Sequence, residues 1–403
     1  MFYPSDGVKR KYMPLLLISL VGLFYVAGNG SVWFALPLLA NKIVDDFMLV
    51  GLLIAVPNLV SLFLDVPVGG LSDRLGRKKM LSVGLFVMLL LGLALPFIST
   101  VVNLIVFLVV FGVANQFIYI AIRAHIMDIS PKNETSKYFG FFEALASIGF
   151  TIAPVIGGVL IADNLMTGAI SVGLFNLLMC LIGLIFVFLV KEAITSAGFA
   201  SSVKDLIRKD KLVLRELVEF KDLKSGGAMI LLITFVIVVA DGLIWTMGPL
   251  YTTLGLDTEM VGIILSMFVL PFILFDIPFG MLADKIGKTK TMFTGLLIAG
   301  AFLIYFGQTR DSTMLIAAAF LATTGLALVR PSIDGLLTDL AESKQKGGIV
   351  GVWDVSEDLG YVIGPILGGI IAEYYQNIGF AFTGMGLILL LITPLVLLAA
   401  KKN

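Results

Sequence analysis

One acidic residue, Asp241, lies in the middle of a long apolar run of the sequence. Trp245 follows it at i+4 and Pro249 at i+8, so a helix would place all three on one face. An ionised aspartate at the centre of a membrane helix costs about 2.5 to 3.5 kcal/mol on insertion scales, so it needs a partner, a water-filled cavity or a proton. We therefore expect Asp241 either to titrate or contact a bound solute, or to make a structural hydrogen bond to a neighbouring helix.

Polar residues at helical spacing also occur in three other apolar runs. The first run carries Asn29 and Trp33, the second Asn115, Tyr119 and Arg123, and the third Arg330 and Asp334. These residues are further candidates for contact with a solute or for coupling, although tryptophans also collect at membrane interfaces. Arg123 and Asp334 are hypothesised to form an ion pair. The alternatives are that Arg123 extends to the lipid headgroups or pairs with Asp128 on its own helix.

Few other residues could do chemistry. His125 is the only histidine and Cys180 the only cysteine, so neither an intrachain disulfide nor a Cys/His metal cluster is expected. No sequence of the type G-x-x-x-x-G-K-[ST] occurs, so ATP is not expected to be the direct energy source. Since no paired Ser/His or metal-ligand constellation is present either, we expect no enzyme activity, no metal, no cofactor and no nucleic-acid partner.

The elements that must position these residues are membrane-spanning helices. Of the 403 residues, 59% are apolar and 14% charged, and the mean hydropathy is +1.04, so the expected solvent is a bilayer. Apolar runs of about 20 residues or more, the length that crosses roughly 30 Å of hydrocarbon, recur along the chain. We predict an all-α membrane protein with spans 1 to 12 over residues 13–40, 47–71, 80–100, 102–126, 138–163, 166–190, 226–252, 258–282, 290–308, 313–340, 347–375 and 378–400.

The distribution of lysine and arginine predicts the orientation of the chain. The amino terminus, the loops that follow spans 2, 4, 8 and 10, and the central segment are rich in these residues. The loops on the other side of the membrane contain only Lys42 and Arg310. By the positive-inside rule, both termini and the central segment face the cytoplasm, and the expected location is the cell (inner) membrane. Residues 193–225 combine spaced apolar residues with dense charge, which predicts an amphipathic linker. The alternatives are a plain solvated linker and a regulatory or lipid-binding helix.

An internal duplication organises the sequence into two halves. At a shift of 211 residues, Asp65 to Arg77 matches Asp276 to Lys288 almost position by position, and Pro154 matches Pro365. Span 1 matches span 7 at a shift of 212, which places Asn29 opposite Asp241. We therefore predict two pseudo-symmetric bundles of six helices each, residues 1–192 and 226–403.

In this repeat and in the motifs it contains, the chain resembles the major facilitator superfamily over essentially its whole length. The loop motif G-x-x-x-D-R-x-G-R-K of that family is present twice, and in the family it locks the halves together on the cytoplasmic side. The first copy is Gly69, Asp73, Arg74, Gly76 and Arg77, with Asp128 in the partner position; the second copy is Gly280, Asp284, Lys285, Gly287 and Lys288, with Asp339. Physically, the glycines permit a tight turn, and the aspartates can cap a helix and fix the basic residues.

A second motif, rich in glycine and proline, resembles one associated with the antiporter branches of this superfamily. Its residues are Gly149, Pro154, Gly157 and Gly158 in span 5, and Gly360, Gly364, Pro365, Gly368 and Gly369 in span 11. Ala153 stands where the family has glycine. Small residues let helices pack closely in lipid, so a purely structural role is sufficient to explain the motif.

The resemblance is closest to the twelve-span branch of drug/proton antiporters. It implies secondary active transport of a small solute by alternating access, with the proton gradient as energy source, Asp241 as proton carrier, and efflux of a drug or metabolite. Leu108 stands where drug/proton exporters commonly carry an arginine, so the resemblance does not extend to that residue. The alternatives are proton-coupled uptake or facilitated passage of a metabolite and, from another class, a membrane sensor or lipid-handling protein. A monomer is expected.

Overall fold

The computed structural model describes residues 6–131, 134–162, 164–192, 225–341 and 346–402. Within these ranges every regular element is a helix, which confirms the predicted all-α fold. The linker predicted for 193–225 lies outside the described residues except for Ser225.

Seven described α-helices precede the linker and seven follow it. They are α1 (Asp6–Val44), α2 (Phe47–Ile54), α3 (Val56–Leu75), α4 (Arg77–Ala94), α5 (Val101–Ile129), α6 (Thr135–Ile161), α7 (Leu165–Leu189), α8 (Ser225–Met247), α9 (Thr258–Met267), α10 (Leu270–Ile286), α11 (Lys288–Gln308), α12 (Ser312–Ala341), α13 (Lys346–Tyr375) and α14 (Ile378–Lys402). In the described part of the chain, 12 helical stretches are long and apolar enough to cross a membrane, which confirms the predicted number of spans.

Spans 2 and 8 are each built from two helices. α2 and α3 meet at Ala55, and α9 and α10 meet at Phe268 and Val269. The second helix of each pair has a proline as its second residue, Pro57 or Pro271. Proline has no N–H to donate to the preceding turn, so a regular helix is interrupted there in both halves.

Span 7 ends earlier than the sequence predicts. α8 stops at Met247, and a 3-10 helix, Pro249–Leu254, follows it. That helix ends at Gly255, whose φ of 89° is the left-handed conformation that favours glycine. The predicted boundary at 252 was wrong because Pro249 starts a tighter helix instead of continuing the α-helix.

Contacts between helices group the chain into two units. Unit 1 comprises Met1–Ala35 and Phe63–Asp210, and unit 2 comprises Leu36–Leu62 and Lys211–Asn403. The predicted bundles run along the sequence, 1–192 and 226–403, so the two divisions differ over residues 36–62. These residues group with unit 2 because α2 packs backbone to backbone against α13.

The contact between α1 and α6 in unit 1 is called here the first seam. It is formed by Gly30 facing Ala153 and by Gly149 facing the backbone of Leu23, and a Cβ atom added to Gly149 would lie 2.6 Å from the Leu23 carbonyl oxygen. Such an approach requires a glycine. The glycine and proline motif of span 5 therefore acts in unit 1 as a packing surface for span 1.

The contact between α8 and α13 in unit 2 is called the second seam. Gly242 faces Pro365 and Tyr361, and Gly364 lies against the carbonyl oxygen of Val239. The same motif therefore packs span 11 on span 7, as it packs span 5 on span 1. Where unit 1 has Ala153, unit 2 has Gly364, and its backbone lies directly on α8.

Candidate functional site

The Asp241 carboxylate is held between two helices of unit 2. The indole Nε1 of Trp245, one turn further along α8, donates to Asp241 Oδ1 at 3.2 Å. The hydroxyl of Tyr361, on α13, donates to Asp241 Oδ2 at 2.8 Å. Each carboxylate oxygen thus has its own donor, which is the arrangement that stabilises an ionised aspartate away from water.

Among the described residues, two charged groups act on Asp241 besides these donors. Arg330 of α12 and Glu357 of α13 are both close enough to interact with it electrostatically. The Arg330 guanidinium lies 5.7 Å from the centre of the Phe272 ring on α10, and it also interacts with Asp276 of the same helix. One guanidinium is therefore shared electrostatically by two carboxylates on different helices.

Asp276 is a second candidate carboxylate of unit 2. Its Oδ1 atom is buried and has no hydrogen-bond partner among the described residues. A buried carboxylate oxygen that lacks a donor, in a group that interacts with Arg330, makes Asp276 a second acid of the same electrostatic group as Asp241.

Sequence reasoning missed Tyr361, although the repeat contains a signal for it. At the shift of 211 residues Tyr361 stands opposite Phe150, so the second half has gained one hydroxyl. At the shift of 212 residues that aligns span 1 with span 7, Asp241 stands opposite Asn29. The positions at which the two halves differ therefore identify both the acid and its donor.

The corresponding polar residues of unit 1 are arranged differently. The hydroxyl of Tyr25 donates to Asn115 Oδ1, while Asn29 Oδ1 and Asn115 Nδ2 are buried without a hydrogen-bond partner in the described ranges. Trp33 packs edge-on against Phe111 with the ring centres 5.3 Å apart. The structure thus brings spans 1 and 4 together through Tyr25, a residue that the sequence did not single out.

Arg123 stacks on Tyr119, which precedes it by one turn on α5. Its guanidinium carbon lies 4.6 Å from the centre of the Tyr119 ring and 6.0 Å from that of Phe139. A cation over an aromatic face is stabilised by the negative potential of the ring. The pairing hypothesised for Arg123 and Asp334 stays a prediction, because the Asp334 side chain lies outside the described residues.

The first copy of the loop motif forms a charged cluster centred on Arg77. This arginine is 7% exposed, it pairs with Asp73, and its Nε donates to Asp128 Oδ2 at 3.1 Å. Its Nη1 donates to the buried hydroxyl of Ser72 at 3.0 Å. Gly76, with φ of 91°, makes the turn that begins α4. The sequence predicted the contact between Arg77 and Asp128, and the structure contains it.

In the second copy of the motif, a lysine stands in the place of Arg77. Lys288 donates to the carbonyl oxygen of Gly335 at 3.0 Å, and Gly287 has the same left-handed conformation as Gly76, with φ of 102°. The expected partner of Lys288, Asp339, has its side chain outside the described residues. Arg77 has carboxylate and hydroxyl acceptors, and for Lys288 the structure gives a backbone carbonyl.

A family model described as Major Facilitator Superfamily matches residues 18–257 and 230–403 of the chain. The chain belongs to the major facilitator superfamily. Multidrug resistance protein 2 of Bacillus subtilis (strain 168) is 27% identical over 348 residues, which cover 84% of this transporter and 83% of that protein. Quinolone resistance protein NorA of Staphylococcus aureus (strain Mu50) is 29% identical over 171 residues, 42% of this transporter and 44% of NorA.

Solved structures share the fold of this transporter. A bacterial homologue of the human lysosomal transporter Spinster superposes with a TM-score of 0.76 at 14% identity, covering 98% of this chain and 97% of that one. Membership of the superfamily makes the protein a multi-pass membrane transporter for a small molecule, and not an enzyme. Among the residues described by the structure, no three His, Cys, Asp or Glu side chains are grouped so that they could hold a metal ion.

Proposed function

We propose that this transporter exports a small organic solute from the cytoplasm in exchange for protons, and that Asp241 carries the proton. The expected energy source is the proton gradient across the cell (inner) membrane, with both termini on the cytoplasmic side.

The single observation that carries the proposal is the setting of the Asp241 carboxylate. It lies within span 7, it accepts hydrogen bonds from Trp245 and Tyr361, and Arg330 and Glu357 act on it. The donors and Arg330 stabilise the ionised form, while Glu357 and the apolar surroundings stabilise the protonated form. A carboxylate held between opposing influences of this kind is suited to taking up and releasing a proton during a transport cycle.

Export is favoured over uptake by the relatives. The similarity to multidrug resistance protein 2 covers 84% of this chain, and export of a toxic compound is one way in which a membrane transporter can give resistance. The loops rich in lysine and arginine support the cytoplasmic position of both termini. Together these support an outward direction of transport.

Transport by the purified protein in liposomes would test the proposal. A fluorescent quinolone serves as the probe, since NorA is a quinolone resistance protein, and a proton gradient is imposed across the membrane. We expect the wild-type protein to accumulate the probe against its concentration gradient and Asp241→Asn to lose this accumulation. Asp257→Asn is a matched control, because Asp257 precedes α9 without making a side-chain capping bond.

The outcomes separate the alternatives. Uphill accumulation and unchanged pH dependence in Asp241→Asn would refute its role as proton carrier. Accumulation in the direction opposite to that expected would identify an uptake system. Equilibration of the probe without any response to the gradient would identify facilitated passage.

A further inference from the structure

Tyr361 makes contacts through both its side chain and its backbone. Its hydroxyl donates to Asp241 on α8 at 2.8 Å. Its carbonyl oxygen accepts a hydrogen bond from Asn58 Nδ2, near the start of α3, at 3.2 Å. Tyr361 therefore connects span 7 to span 2 through a single residue of span 11.

The contact with Asn58 exists because of a proline. In an α-helix the carbonyl of residue 361 would accept from the N–H of residue 365, but Pro365 has no N–H. The Tyr361 carbonyl is thus left without its helical partner, and Asn58 satisfies it. A helix is also easiest to bend where such a bond is missing, so α13 has a point of low stiffness at Tyr361.

Just beyond this point, α13 packs on α2 with almost no intervening side chains. We call this contact the α2 seam; it comprises Gly51 against the Pro365 carbonyl, Gly369 against the Phe47 carbonyl, and the Phe47 N–H donating to Glu373 Oε2 at 2.8 Å. Backbones in direct contact have no flexible side chain to absorb a displacement, so a change in α13 must move or open the seam.

We propose that Tyr361 is a positioning residue that transmits the charge state of Asp241 to the α2 seam. The inference deepens the proposed function and rests on it, since it takes Asp241 to be the residue that titrates. When Asp241 is ionised, the Tyr361 hydroxyl donates to a charged acceptor and holds α13 against α8. When Asp241 is protonated, the acceptor is neutral and this bond loses roughly half of its strength. The part of α13 that begins at Tyr361 is then free to bend away from α2.

The charged and titratable groups that face Asp241 determine the pH range of this change. Among the described residues they are Arg330 from α12, Glu357 from α13 and Tyr361 itself. Arg330 also interacts with Asp276, so it is part of the same electrostatic group. Tyr361 is also bound to span 2, through its backbone carbonyl and Asn58 of α3.

The first experiment measures the pH profile of transport in Tyr361→Phe. This change keeps the ring and its packing and removes only the hydroxyl. Without that donor the ionised carboxylate is less stabilised, and we expect the midpoint of the profile to move to higher pH by about one unit, the size of one hydrogen bond to a charged group. Tyr374→Phe, at an 80% exposed tyrosine of the same helix, is the matched control and should leave the midpoint unchanged.

The second experiment measures the α2 seam directly. Spin labels are placed at Leu52 on α2 and Ile370 on α13, both exposed, in a Cys180→Ala background that removes the one native cysteine. In the otherwise wild-type protein we expect the distance distribution to broaden towards longer distances below the transport midpoint. In Tyr361→Phe the response to pH should be lost. Asn58→Leu, which leaves the Asp241 pair in place, should keep the transport midpoint and weaken the response of the seam.

The results distinguish this inference from the proposed function. If Asp241→Asn loses the pH dependence of transport while Tyr361→Phe matches Tyr374→Phe in both experiments, the inference is overturned and the proposed function stands. If Asp241→Asn keeps the wild-type pH dependence, the proposed function fails and the inference fails with it. Loss of the seam response in both Asp241→Asn and Tyr361→Phe, with Asn58→Leu intermediate, supports both.

Discussion

The first seam and the second seam are related by the internal repeat, yet their polar residues differ in type and in hydrogen bonding. Asn29 of the first seam corresponds to Asp241 of the second, and Phe150 corresponds to Tyr361. Asn29 Oδ1 is buried with no partner among the described residues, whereas both Asp241 oxygens accept hydrogen bonds. The second half therefore gained a carboxylate together with the hydroxyl that stabilises it, and the first half has neither.

The two seams also differ in packing, because the first has an alanine where the second has a glycine. Ala153 faces Gly30 in the first seam, and Gly364 lies against α8 near Gly242 in the second. The glycine lets the backbone of α13 approach that of α8, which places the Tyr361 hydroxyl 2.8 Å from Asp241. Close packing and the hydrogen bond thus depend on each other. The comparison can be tested by changing residues of the first seam or of the second seam.

The largest effect on the free energy of unfolding is expected when the first seam receives a carboxylate like that of the second seam. Asn29→Asp places a carboxylate opposite Phe150, which has no hydroxyl, and we expect it to lower the free energy of unfolding by about 3 kcal/mol. Adding Phe150→Tyr should recover about 1 kcal/mol, the net value of one hydrogen bond. Titration of the purified variants with sodium dodecyl sulfate, followed by circular dichroism, measures both changes.

A control for this experiment is Asn164→Asp, which makes the same chemical change at the cap of α7, outside the spans. Asparagine and aspartate cap helices about equally well, so little change is expected there. If the double variant were no more stable than Asn29→Asp alone, the first seam would lack the geometry of the second, and the pairing of acid and hydroxyl would not follow from the repeat.

A smaller effect is expected at the loop motif, where the first half has Arg77 and the second half has Lys288. Arg77 is buried and bonds to Asp73, Asp128 and Ser72, so Arg77→Ala leaves several acceptors without their donor. We expect it to lower the free energy of unfolding by about 2 kcal/mol, and Lys288→Ala to lower it by less than about 1 kcal/mol. The same detergent titration compares the two variants. Equal losses would show that the second copy has carboxylate contacts as strong as those of the first.

Sequence reasoning succeeded for features that depend on length, periodicity and composition. The all-α fold, the twelve spans and the superfamily follow from apolar runs and from two specific motifs, and all three are confirmed. The contact of Arg77 with Asp128 also followed from motif positions. In each case the signal is local or is repeated in the second half, so it can be recognised without knowing how helices pack.

The remaining features depend on contacts between distant helices, which no local pattern encodes. Tyr361 lies 120 residues from Asp241 and was not among the expected site residues, because a tyrosine in an apolar span is unremarkable by composition. The grouping of residues 36–62 with unit 2 arises from glycines of α2 and α13 that meet backbone to backbone. The roles expected for the gating and substrate residues stay predictions, since contacts alone do not measure transport.

The smallest expected effect comes from giving the second seam the alanine of the first. A Cβ atom added at Gly364 would press on the Val239 carbonyl oxygen, which cannot move without shifting α8. Overpacking of about 2 kcal/mol, partly offset by the better helix propensity of alanine, should give Gly364→Ala a net loss of about 1 kcal/mol in the free energy of unfolding. Gly140→Ala is the matched control, because a Cβ at Gly140 in α6 meets no described atom within 4 Å, and this variant should be slightly stabilised.

The same variant also tests whether packing and hydrogen bonding in the second seam act together. If alanine at 364 separates α13 from α8, the Tyr361 hydroxyl moves away from Asp241, and the pH midpoint of transport should rise as it does in Tyr361→Phe, though by less. A destabilised Gly364→Ala protein with an unchanged midpoint would mean that α13 yields elsewhere, for example at Pro365, and keeps the hydrogen bond. In that case the glycine of the second half serves packing alone, and the acid with its hydroxyl would remain as the functional difference between the halves.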